Sequence, residues 1–153
     1  MPINGGHTTV SKLSDEQVVR TARVIWAALF VSLFLYATIA FQLKPGSHTP
    51  ASPETLKSME TFFPIVAILA MFFGFLLPRL LLRAEAKRTP GGIPLARRLN
   101  HFIVRLAFFE SIAILGFILA AQASEGKRMW PFLIISAFGF LRSLPSREKL
   151  EGL

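Results

Sequence analysis

Residues 102–123, FIVRLAFFESIAILGFILAAQA, form an apolar block that holds two charges, Arg105 near its start and Glu110 further in. At 1.5 Å per residue the block is long enough to cross a hydrocarbon core of about 30 Å, so it reads as a transmembrane helix. A carboxylate at that depth has no water to hydrate it, and leaving it in lipid costs about 3 kcal/mol even on insertion scales. Such a group therefore faces a bundle interior or a water-filled cavity, and it needs a partner.

The rest of the composition agrees with a membrane protein. Of the 153 residues 52% are hydrophobic, with 15 Phe, and the apolar residues come in blocks instead of periodic stripes. There is no Cys, which removes disulfides, thiolate metal sites and cysteine catalysis. His7, His48 and His101 lie outside the apolar blocks and too far apart for a metal site. No Ser/His/Asp set, zinc spacing, haem-ligand His within a span or phosphate-binding Gly loop is visible, so neither an enzyme nor a cofactor is expected. The net charge of +8 sits in the flanks of apolar blocks and is not interleaved with aromatics, which points to membrane orientation and not to nucleic acid.

The expected architecture is all-α: a polytopic four-helix transmembrane bundle with a short fourth helix. Residues 1–23 read as a cytoplasmic segment with a short amphipathic helix, capped by Ser14 with Gln17 at the third position of a capping box. The membrane domain covers residues 24–144, with spans at about 24–43, 62–82, 102–123 and 131–144, and residues 145–153 form a tail. The first span is retained, because no small-x-small cleavage site and polar mature chain follow it. Trp26 opens it at interface depth, and Lys44-Pro45-Gly46 ends it. A polar loop is expected over 44–61, Pro64 in the first turn of the second span, a kink near Gly74 caused by Pro78, and a basic connector over 83–101 that turns at 90–94. The fourth segment covers only about 21 Å.

Lys12, Arg20 and Arg23, then Arg83, Lys87, Arg88, Arg97 and Arg98, then Arg142, Arg147 and Lys149 fall on one side of this topology; only Lys44, Lys57, Lys127 and Arg128 fall on the other. The positive-inside bias puts both termini and the central connector in the cytoplasm, and the chain in the cytoplasmic (inner) membrane. The basic residues Arg79, Arg83, Lys87, Arg88, Arg97, Arg98 and Arg105 are expected to meet anionic lipid headgroups, Arg105 by snorkelling. Small residues recurring every four positions, such as Ala28-Ser32-Tyr36-Ala40, Ala70-Gly74-Pro78 and Ala107-Ser111, supply helix-packing faces.

Arg105 is five positions from Glu110, a rotation of roughly 140°, so the two side chains diverge. Folding the last two spans as a hairpin centred near Gly126 places residues at equal depth when their numbers sum to about 252. That rule pairs Glu110 with Arg142, and the depth of each from its helix end, about 12 and 13 Å, agrees. The expectation is an intramembrane Glu110–Arg142 ion pair, with Ser32, Tyr36 and Ser111 in a polar layer near it.

The string Phe109-Glu110-Ser111-Ile112-Ala113-Ile114-Leu115-Gly116-Phe117-Ile118-Leu119-Ala120 resembles the ion-binding helix of rotary ATPase proteolipid subunits (c or K), where a carboxylate precedes an Ala-Ile-x-Gly-x-x-x-Ala pattern. The resemblance implies that Glu110 carries a proton or cation. The whole chain also loosely resembles small uncharacterised four-span bacterial membrane proteins, which implies topology and no activity. The leading expectation is a structural or accessory subunit of a homo-oligomer or larger membrane complex, its bundle fixed by the Glu110–Arg142 pair. The alternative is a proton- or cation-translocating subunit in which Glu110 titrates.

Overall fold

The computed structural model describes residues 14–43, 51–88, 93–146 and 150; Lys12, Arg147, Lys149, His7, His48 and the turn residues 90–92 lie outside them. Four α-helices follow one another: α1 (Asp15–Gln42), α2 (Pro53–Ala86), α3 (Leu95–Ala123) and α4 (Trp130–Arg142), with a 3₁₀ turn over Gly126–Met129 between the last two. The first three are long and apolar enough to cross a membrane; α4, with 13 residues, is short.

Each long helix extends beyond its apolar block. In α1 the Ser14 hydroxyl caps the Gln17 N–H and the Gln17 side chain returns to the Ser14 N–H, so the amphipathic lead-in and the first span are one helix. The stretch 53–61, expected as loop, is helical because Ser52 caps Thr55, Pro53 takes a first-turn position and Glu54 complements the N-terminal dipole. Pro64 consequently lies well inside α2 and not in its first turn. The connector shrinks too: α3 starts at Leu95, directly after Pro94. Across it Glu85 accepts from Arg97 (2.9 Å) and meets His101 (3.1 Å), and these hydrogen bonds, His101's first, hold the Glu85 carboxyl below its usual range.

The helix at the centre is α3. It packs against α1, α2, α4 and the 3₁₀ turn, whereas α1 and α2 scarcely touch each other. Leu106, Phe109, Ile112 and Ala113 of α3 are completely buried. Tyr36 stacks near Phe117 and Ser32 reaches Glu110, so α1 runs parallel to α3. Just before α2, the Ala51 N–H donates to the Gln122 carbonyl, and near its end Glu85 bonds Arg97, so that helix is antiparallel to α3. Trp26, expected at the interface, donates its indole N–H to the Phe140 carbonyl (2.8 Å) and ties α1 to α4.

Between lipid-solvated helices, association rests on close packing and interhelical hydrogen bonds. Phe109 is the junction. Its ring lies against Phe75, Phe140 and Gly139, and its carbonyl accepts from Ser136 (2.7 Å). A Cβ added at Gly139 would come within 2.5 Å of that ring, and one at Gly116 within 2.5 Å of Phe132 Cβ. Because the Phe109 ring is walled in on these sides, Gly139→Ala is expected to destabilise the bundle by about 1–3 kcal/mol. Thermal or SDS denaturation midpoints of the two proteins measure it.

Candidate intramembrane polar site

Ser32 and Tyr36, one turn apart on α1, face Glu110 on α3. The Glu110 Oε1 atom lies 3.0 Å from Ser32 Oγ and 3.2 Å from Tyr36 OH, and all three side chains are partly buried. Helical periodicity explains the pairing from the α1 side, since residues at i and i+4 share a face. Ser111 is next to Glu110 in sequence, but its hydroxyl turns back to the Phe108 carbonyl (2.7 Å) and takes no part.

The Ser32 hydroxyl is doubly engaged. It lies 2.6 Å from the carbonyl of Leu29 as well as 3.0 Å from Glu110. A hydroxyl has one proton, and the shorter contact is the one to its own helix. When that proton is on Leu29 the Ser32 lone pairs face the carboxyl, and the contact becomes a hydrogen bond only if Glu110 supplies the proton or a cation lies between the oxygens.

The Glu110–Arg142 ion pair is not formed. Ser136 sits on Phe109 and Phe132 on Gly116, so residues of α3 and α4 at equal depth have numbers summing to about 245–248 instead of 252. The cause is the turn. Ser124 adopts a left-handed conformation (φ 52°), Glu125 N–H returns to Ala120 and Ser124 N–H to Ala121, and the following 3₁₀ segment already packs back along α3. The hairpin therefore reverses near Ser124 and not near Gly126. Arg142 lands about one and a half turns away from the expected level, and comes level with Arg105 instead.

The basic residues fall into three groups. Arg79, Arg83, Lys87 and Arg88 are exposed, whereas Arg97 is paired with Glu85 and Arg98 reaches the carbonyls of Ile93 and Leu150 (3.4 Å each). Arg105 does not snorkel outward: it is buried to 9% exposure, and its guanidinium lies 5.5 Å from the Phe75 ring centroid. Sequence reasoning missed that Arg142 comes level with Arg105; the correct hairpin register was the signal for it. At the opposite end Arg128 is held by Glu125 (2.8 Å) and Glu60, which fastens the start of α2 to the last connector. Among the described residues no group of His, Cys, Asp or Glu is arranged to hold a metal ion.

In a double-mutant cycle, Tyr36→Phe and Glu110→Ala are expected to couple by about 0.5–1.5 kcal/mol, the range for a membrane interhelical hydrogen bond. Glu110→Gln and Arg142→Gln are expected to be additive; denaturation midpoints of the singles and doubles decide both. Comparison of the chain with protein-family models, with curated proteins and with solved structures returned no match.

Proposed function

We propose that this chain is a structural or accessory membrane subunit that assembles, with itself or within a larger membrane complex, along an open face of α3. The observation that carries the reading is the position of Glu110 at the edge of that face. Since α1 and α2 scarcely touch, a strip of α3 between them is left uncovered; Ala107 and Ile114 on it are exposed, and Ser111 and Ile118 partly so. Glu110 borders the strip, partly exposed, and among the described residues no basic side chain pairs with it. A carboxyl in that position is costly toward lipid, and a helix laid along the strip removes it from hydrocarbon. The small residues Ala107 and Ser111 permit close approach of such a helix. Within the chain the Ser32–Tyr36–Glu110 layer fixes α1 on α3, in place of the Arg142 contact.

A second reading is favoured by the single proton of Ser32. A carboxyl with oxygen neighbours and one hydrogen too few is suited to carry a proton or a small cation, and Glu110 then serves as the titrating group of a translocating subunit.

Gentle detergent extraction followed by intact-assembly mass measurement is expected to give a dimer or larger species, and a lone monomer overturns the assembly reading. Carbodiimide labelling separates the two roles. Rapid, pH-dependent modification at Glu110, abolished in Glu110→Gln, supports the carrier; a carboxyl that stays unreactive across pH within an intact assembly supports the purely structural layer.

A further inference from the structure

Arg105 of α3, Arg79 of α2 and Arg142 in the last turn of α4 lie toward the end of the bundle where α3 begins. Phe75 lies under the Arg105 guanidinium and also walls the groove that holds Arg79, and the register of α4 on α3 brings Arg142 level with Arg105. Among the described residues no carboxylate pairs with any of them. Like charges at one end of the bundle repel, and an anion among them relieves that repulsion.

Arg105 supplies the second observation. It is 91% removed from solvent, given its 9% exposure, and its Nε has no hydrogen-bond partner. Among the described residues the other buried side-chain polar atom without a partner is Ser143 Oγ, adjacent in sequence to Arg142. A buried donor left unmatched costs about 1–3 kcal/mol, more when charged, so both unmatched atoms at one end point to a missing acceptor.

The surface leading to this cluster is apolar. A groove of about 410 Å³ on α2, lined by Ile68, Met71, Phe72, Phe75 and Leu76, ends at Arg79, and its wall residue Phe75 also lies under the Arg105 guanidinium. An apolar trough closed at one end by guanidinium groups matches an amphiphile with an acyl chain and an anionic head. Guanidinium forks fit the paired oxygens of a phosphate.

We propose that Arg79, Arg105 and Arg142 form a binding site for the phosphate of an anionic phospholipid, whose acyl chain lies in the α2 groove. The site does not depend on how Glu110 is used. What separates this site from the exposed basic residues around it is the buried Arg105, whose Nε has no partner within the chain.

The test uses the full chain in a neutral detergent, with phosphatidylglycerol, phosphatidylcholine of the same chains, and inorganic phosphate as probes, read by native mass spectrometry. Phosphatidylglycerol is expected to be retained in preference to phosphatidylcholine. Arg79→Gln and Arg142→Gln, both at exposed positions, are each expected to weaken its retention about five-fold. Arg23→Gln, an exposed arginine of α1, is the control and is expected to leave it within about two-fold. Equal retention of the two lipids overturns the proposal, as does an Arg23→Gln loss as large as that of Arg79→Gln. Displacement of phosphatidylglycerol by millimolar inorganic phosphate also overturns it, because the site is then one for a free anion.

Discussion

The register of α4 on α3 is set at Phe109, and the position of Arg142 follows from it. Gly139 lets the ring lie flat against the α4 backbone, Gly74 admits the same ring from α2, and Ser136 fixes the height of α4 through the Phe109 carbonyl. With that height fixed, Arg142 is brought level with Arg105 and withheld from Glu110. A slip of one turn at this contact would exchange an arginine cluster for an ion pair, so the choice between them is made by two small residues and one hydroxyl.

Arg105 and Glu110 occupy the same helix and are treated oppositely. Their separation by five positions turns them to different faces of α3, one toward the junction with α2 and α4, the other toward α1 and the open strip. Arg105 is buried, with its guanidinium over the Phe75 ring. The Glu110 carboxyl has two hydroxyl oxygens within 3.2 Å and partial access to its surroundings. Polar groups inside a bilayer protein are thus sorted by helix angle before they are sorted by partner.

Much of this was legible in the sequence, and the limits have physical causes. Apolar blocks long enough for a bilayer identify α1, α2 and α3, and the shortness of α4 follows from its own block. Ser14 and Gln17 mark the start of α1 because a capping box is a local pattern. Depth counting also reaches Ser32 and Tyr36 as neighbours of Glu110, since helices that cross a bilayer are nearly straight rulers. Counting through a turn is different. The left-handed Ser124 and the 3₁₀ segment after it change the rise per residue, and no periodicity in the sequence records that change. Hydropathy marks where a helix enters lipid, not where it begins, so it leaves out the polar turns of α2 before Phe62 and of α3 before Phe102.

The hydroxyls of α1 have a bearing on how the chain is made. Ser32 and Thr38 each reach a carbonyl of their own helix, at Leu29 and Phe34, at 2.6 and 2.7 Å. Made before α3, α1 can therefore reside in lipid with these two groups already satisfied. Glu110 arrives later, on α3, and meets a helix whose polar side is waiting for it. The 13-residue α4 follows α3 and is too short to cross a bilayer alone, so its placement leans on the longer helices made before it. Order of translation and order of dependence run the same way along this chain.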